Sequence, residues 1–309
     1  AAIGKGNTTW LRRKNLPDGA MGRWTSPDGR LIESDHLKSD EPEYNKDNPM
    51  MRGDKAIEEP GNLTDAFTRE AMDFFDRSKE KPFFLYLAYN AVHSPMQGTD
   101  AHMARFKDIP DVQRRIFAAM LTHLDESVGK LMAKLDANGQ TENTIIVFLS
   151  DNGGPTRELT SSNLPHRGEK GQLLEGGIRV PYAVTWPGVT KPGTVIKTPV
   201  IATDLTAMAF AAAGVATPTD ADGKDLRDLL ANPAAGPLHE TLYWRVGKSG
   251  ALRSGKWKLF RGGPRWELYD LETDPGEKRE VSASHKELTR TLVERWETWS
   301  KAQAEPLWR

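Results

Sequence analysis

The spacing of apolar positions changes character several times along the chain, and each change predicts an element. Phe67, Ala71, Phe74 and Phe75 recur at helical intervals behind a Thr64/Asp65 cap, with charges on the other face, so a helix is expected up to about Ser78. Phe83 to Tyr89 is an unbroken apolar and aromatic run, the pattern of a strand buried on both faces, and it stops at Asn90-Ala91-Val92-His93-Ser94-Pro95. Phe117, Met120, Leu121, Leu124, Val128, Leu131 and Leu135 make one stripe of a long helix closed by Asn138-Gly139. The β-branched run Thr144 to Leu149 follows as a central strand and ends at Ser150-Asp151-Asn152-Gly153-Gly154. Strand, long helix, strand is a βαβ crossover joining parallel strands, so the ends after Tyr89 and Leu149 are expected on one edge of one sheet.

A third extended run, Ile178 to Trp186, breaks at Pro187-Gly188, and Asp204 to Ala213 reads as a short helix closed by Gly214. Beyond it, short alternating strands at Leu242–Arg245, Leu252–Arg253, Trp257–Arg261 and Trp266–Tyr269 predict an antiparallel meander. A last helix carries Leu288, Leu292, Trp296 and Trp299 on one face behind a capping box of Ser284 and Glu287. The expected fold is α/β, a mostly parallel sheet flanked by helices, with a smaller C-terminal subdomain of antiparallel sheet plus helix. Residues 1–235 form the α/β domain, whose first 60 or so are irregular, and 236–309 the subdomain.

Composition narrows the function. With 42 Lys plus Arg against 43 Asp plus Glu in 309 residues, the net charge of -1 points to neither nucleic acid nor an anionic membrane. The absence of cysteine removes disulfides, thiolate metal sites and cysteine nucleophiles from these residues. No apolar stretch is long enough to cross a bilayer, and no signal peptide is visible. Without an initiator methionine, the chain is expected to be a fragment or a processed product. Two N-x-S/T sequons, at Asn7 and Asn62, are the kind that arise by chance.

Ligands of parallel α/β sheets bind beyond the carboxyl ends of strands, where His93 and the Asp151-Asn152 pair stand. Asp151 and Asn152 offer hard oxygen donors for Ca²⁺ or Mg²⁺, although Asp-Asn-Gly-Gly is also a favoured turn. His93 has the chemistry of an anion contact or general acid, or of an ordinary loop histidine. In Pro165–Gly177 the glycines permit close approach of backbone to a ligand and Lys170 supplies a compact charge, unless the segment is a plain surface loop. It is no nucleotide-binding loop, since Lys170 is followed by glycine and the glycine spacing is wrong.

Taken together, Pro82–Pro95, Leu149–Gly154, Gly168-Glu169-Lys170-Gly171, Glu175–Pro181 and Trp186-Pro187-Gly188 resemble the type I sulfatases in order, spacing and local structure. Glu267-Leu268-Tyr269-Asp270-Leu271 and Asp274-Pro275-Gly276-Glu277 resemble the end of that family, so the likeness runs over about residues 50–309. The resemblance implies an alkaline-phosphatase-like fold and hydrolysis of sulfate monoesters of a sugar or aryl alcohol by a formylglycine beside Ca²⁺. It makes Asp151 and Asn152 metal ligands, His93 a contact to the ester oxygen that assists the leaving group, and Lys170 a charge on the sulfate. Glu169 departs from the glycine common at its position.

The C/S-x-P-S/A-R motif that supplies formylglycine is not found, the acidic pair that would complete the calcium site is not found, and Thr25-Ser26-Pro27-Asp28 fails as a substitute. The expectation is therefore that the N-terminal part of the enzyme is missing and that the chain alone is inactive. A phosphodiesterase or phosphonate hydrolase of the same superfamily, or a non-catalytic binding relative, is the alternative. A periplasmic or secreted location is expected of such an enzyme. Substrate identity and oligomeric state are not legible.

Overall fold

The computed structural model describes residues 50–305 except 60, 94–95 and 157–159, together with the backbone of 22–25 and 31–34. The irregular character expected of residues 1–60 falls mostly outside the described residues. Two short hairpins, β1 (Gly22–Thr25) with β2 (Leu31–Ser34) and β3 (Met50–Arg52) with β4 (Lys55–Ile57), precede the first helix. The chain then forms two compact units, residues 1–143 with 155–162, and residues 144–154 with 163–309.

In the first unit, α1 (Leu63–Arg77) begins one turn-position earlier than the Thr64/Asp65 cap implied: Asn62 is the cap, and its side chain accepts from Thr64 N–H. α2 (Asp100–Ala104) and α3 (Val112–Ala137) follow. Of the expected α3 stripe Met120, Leu124, Leu131 and Leu135 are buried and Phe117 and Val128 half-buried, Ile116 and Ala119 join the buried face, and Gly139 closes the helix at φ +69°. Leu121 instead lies half out of the core.

Residues 83–89 differ from expectation. They are extended but join no ladder among the described residues. Phe83 packs on Phe74 and Phe75 of α1, and Tyr89 hydroxyl bonds Thr68 Oγ1 at 2.8 Å, while Phe84 and Tyr86 are 78% and 81% exposed. One face rests on α1, so burial is alternating rather than two-sided.

In the second unit, β5 (Ile146–Leu149) is followed by α4 (Glu175–Ile178) and β6 (Tyr182–Thr185). β5 pairs with β6 antiparallel, Leu149 facing Tyr182. The parallel partner expected of the βαβ reading is not among the described ladders, all of which are antiparallel. α5 (Asp204–Ala212) and α6 (Arg227–Ala231) supply Met208, Leu229 and Leu230, which pack against Val147, Tyr182 and Val184 of that ladder.

The C-terminal meander is present as read: β7 (Thr241–Val246), β8 (Ser249–Ser254), β9 (Trp257–Arg261) and β10 (Glu267–Asp270) pair in sequence order. Period-two alternation gives this sheet two buried faces. Leu252, Leu259 and Leu268 face Leu292 and Trp296 of α7 (Lys286–Ala302), whereas Ala251, Phe260 and Tyr269 face Leu173 and Leu174. The capping box is absent: α7 has no side-chain cap, Ser284 belongs to a preceding 3-10 turn, and Glu287 pairs with Arg290 at 2.7 Å. Among the described residues no helix is long and apolar enough to cross a membrane.

Candidate functional site

β5 ends in the Asp151-Asn152-Gly153-Gly154 turn, and the turn is closed by its own side chains. Asp151 Oδ1 accepts from Asn152 N–H at 2.9 Å, Asn152 Nδ2 donates to Gly153 O at 2.9 Å, and Ser150 Oγ donates to Asn152 O at 2.9 Å. Making the turn therefore uses one carboxylate oxygen and an amide nitrogen. It leaves Asp151 Oδ2 and Asn152 Oδ1 as donors of the kind a hard cation takes. Turn and ligand readings are compatible in one piece of chain. Asp151 is exposed and Asn152 half-buried.

The Pro165–Gly177 segment is held against that turn by backbone contacts only glycine allows. Gly153 N–H donates to Gly177 O at 3.0 Å, and a Cβ on Gly153 would lie 1.8 Å from Gly176 O. A Cβ on Gly176 would lie 2.3 Å from Gly168 O, and one on Gly177 would lie 2.1 Å from Gln172 O. These glycines bring backbone to backbone, not backbone to ligand as the sequence suggested. Gly171 is different, with φ +83° and open space where a Cβ would go.

Leu173 and Leu174 insert into the C-terminal sheet, a burial worth about 1.5–3 kcal/mol for each side chain. Glu175 enters the same face and meets Lys258 Nζ at 2.8 Å and Arg253 at 3.2 Å, while its own N–H donates to Glu277 Oε2 at 2.8 Å. Burial pushes the Glu175 carboxyl up, but the Lys258 ammonium with Arg253 and Arg179 outweighs it and the net shift is downward. Glu277 is pushed upward, chiefly by burial.

On this anchored loop Lys170 is exposed and its neighbour Glu169 is buried. Arg167 turns to the sheet, donating to Glu277 O at 2.6 Å with its guanidinium 5.6 Å from the centre of the Tyr269 ring. His166 Nδ1 lies 3.1 Å from Pro275 O. Both have structural contacts that sequence reading did not separate from anion contacts. Lys258 was not singled out, and Glu277 only as one residue of a family-like segment, because each works through a partner far along the chain. Asn163, bonded to residues nine and five positions away, carries no motif of its own.

The structure thus joins Asp151, Asn152 and the Lys170 loop in one unit. His93 belongs to the other, exposed, with its backbone N–H donating to Asn90 O at 2.8 Å. Among the described residues no group of three or more His, Asp or Glu side chains could hold a metal. Asp151 and Asn152 fit calcium chemically, as two of the six to eight oxygens it takes.

The sulfatase family model matches residues 1–215, and that of the N-sulphoglucosamine sulphohydrolase C-terminal region matches 168–302. The chain belongs to the sulfatase family. Among its sulfatase relatives, arylsulfatase J of Mus musculus is 28% identical over 86% of this chain and 54% of its own length. The crystal structure of Ps i-CgsB in complex with k-i-k-neocarrahexaose aligns at TM-score 0.78 and 35% identity, covering 84% of this chain and 59% of that one. The chain spans about half the length of these sulfatases. A phosphonate monoester hydrolase from Silicibacter pomeroyi, at 18% identity and TM-score 0.58 over 84% of this chain and 67% of that one, shares the fold. The α/β class is that of these hydrolases.

Proposed function

We propose that this chain carries part of the active site of an enzyme that hydrolyses sulfate monoesters of a carbohydrate or aryl alcohol. The observation that carries the reading is the locking of the Asp151-Asn152 turn to the Lys170 loop, in a chain of the sulfatase family. In this reading Lys170 holds a sulfate oxygen and its ammonium stabilises the negative charge that grows on the sulfuryl group. His93 gives a proton to the departing ester oxygen. Asp151 and Asn152 hold Ca²⁺, which when bound supplies Lewis-acid stabilisation of that same charge. No residue of this chain is assigned the nucleophile, because the formylglycine motif is not among the 309 residues. The division at residues 235 and 236, and a periplasmic or secreted location, belong to the same proposal. The saccharide bound by Ps i-CgsB favours a carbohydrate ester.

The test is hydrolysis by the product of the whole gene. Release of sulfate from 4-nitrophenyl sulfate and sulfated oligosaccharides, faster than phosphate or phosphonate release from matched esters, is the expected result. Preference for phosphonate or phosphate would support the superfamily alternative, and binding without turnover the non-catalytic one. The 309 residues alone are expected to be inactive yet to bind calcium weakly, with Kd of about 10⁻³ M. Calorimetric titration with calcium chloride, lost in Asp151→Ala and reduced in Asn152→Ala, checks the metal assignment.

A further inference from the structure

Asn163 lies between the two motif-bearing segments and is bonded to both. Its Oδ1 accepts from Gly154 N–H at 3.0 Å, while Nδ2 donates to Gly154 O at 2.8 Å and to Gly168 O at 3.0 Å. The amide thus pairs with Gly154 in both directions, as a strand neighbour would, and spends its second N–H on the other segment. Reversing the amide would set a donor against Gly154 N–H and an acceptor against two carbonyls, so all three contacts fix one orientation. Gly154 is two residues after Asn152, and Gly168 two before Lys170. The neighbouring backbone adds His166 N–H to Asn163 O at 2.9 Å, so Asn163 is held at both its main chain and its side chain.

We propose that Asn163 is a positioning residue that sets Lys170 in register with the Asp151-Asn152 turn. This rests on the sulfate-ester reading above. Gly153, Gly176 and Gly177 bring the two segments into contact, joined there by the bond from Gly153 N–H to Gly177 O. The Asn163 side chain adds three more bonds and fixes Gly154 and Gly168 to the same planar group. Of the small polar residues only asparagine supplies one acceptor and two donors on so short a stem. Aspartate keeps the acceptor for Gly154 N–H and turns a carboxylate on two carbonyls. Glutamine carries the same amide one methylene too far.

In the product of the whole gene, Asn163→Ala is expected to lower kcat/KM for 4-nitrophenyl sulfate about 100-fold, the effect of a displacement near 1 Å at a reacting centre. Asn163→Asp should lose as much. On a Lys170→Ala background the same substitution should cost less than about threefold, because the group it positions is gone. A purely structural asparagine would instead multiply the two losses, and that additivity would overturn the proposal. If Asn163→Ala does not fold, Asn163→Ser enters the same cycle.

A second arm needs no activity and so separates this inference from the sulfatase reading. Amide hydrogen exchange on the 309-residue chain should show Gly154, whose N–H donates to Asn163, and Gly176, whose N–H donates to Arg167 O next to the Gly168 carbonyl that Asn163 holds, exchanging about tenfold faster in Asn163→Ala, with α5 and β8 unchanged. Unchanged exchange at both glycines would sink the proposal whether or not any sulfate ester is cleaved.

Discussion

Lys258 donates to Glu175 at 2.8 Å with the two side chains only 0% and 3% exposed, and this pair ties the C-terminal sheet to the loop that carries Lys170. Glu277, also fully buried, lies 3.6 Å from the same ammonium. Lys258 stands on the face of β9 that also presents Phe260, opposite Arg253 of β8, so period two in the sheet delivers both cations to one loop. Lys258→Met keeps the volume but leaves two buried carboxylates without their shared ammonium. Urea unfolding should show a loss of about 3–5 kcal/mol, the cost of breaking a buried pair from one side. An unchanged midpoint would show that water reaches the cluster.

The same cluster makes an acid-stability prediction. Glu175 is held below its ordinary carboxyl value, because the pull of Lys258 and the two arginines exceeds the push of burial. A carboxylate with a depressed folded pKa contributes stability above its unfolded pKa and loses it as pH falls through the folded value. The loss therefore begins near the unperturbed 4.5 and continues downward. Glu277, displaced upward by burial, has the opposite sign: its contribution is greatest at low pH and fades as pH rises through its folded pKa. Glu175→Gln should be less stable than wild type at pH 7 but should lose less between pH 5 and 3. The exposed Glu287→Gln should keep the wild-type slope in urea midpoints against pH.

Glycine substitutions should separate packing from backbone freedom. Gly171→Ala meets open space and costs only the left-handed conformation, roughly 1–2 kcal/mol. Gly153→Ala drives a methyl into Gly176 O, a backbone atom with nowhere to move. Its loss should exceed that of Gly171→Ala by at least about 2 kcal/mol in chemical denaturation. Equal losses would mean that the two segments part readily.

These contrasts mark what the sequence made legible. The α3 stripe, the Asn138-Gly139 stop and the four-strand meander could be read because each is a local repeat of one period. The two-sided burial expected of 83–89 does not hold, since an apolar run does not say which neighbours cover it, and here α1 covers one face. Asp151, Asn152 and Lys170 could be proposed from the sequence because their residue types suit the chemistry and the order of their segments resembles a known family. The device that joins their segments was not: Asn163 sits in an ordinary Ser-Ser-Asn-Leu-Pro stretch. The roles of Lys258 and Glu277 depend on partners that topology brings from 83 and 102 residues away along the chain.

His93 yields the sharpest chemical prediction, because its proposed duty depends on the leaving group rather than on the sulfate. A 4-nitrophenolate departs from sulfur without a proton, as its negative charge spreads into the ring. A sugar alkoxide is far more basic and needs its oxygen protonated as the bond breaks. If His93 donates that proton, His93→Ala in the product of the whole gene should lower turnover of a carbohydrate sulfate about 10²-fold or more. Turnover of 4-nitrophenyl sulfate should fall much less. Calcium affinity should not change, since His93 is not among the proposed ligands. His93→Gln can hydrogen-bond the ester oxygen but cannot deliver a proton at neutral pH, so it should recover binding of the sugar ester and not its turnover. The comparison is a ratio between two substrates measured on one preparation, which cancels any shared loss from folding. An equal fall for both substrates would remove the general-acid role and leave His93 as a binding contact.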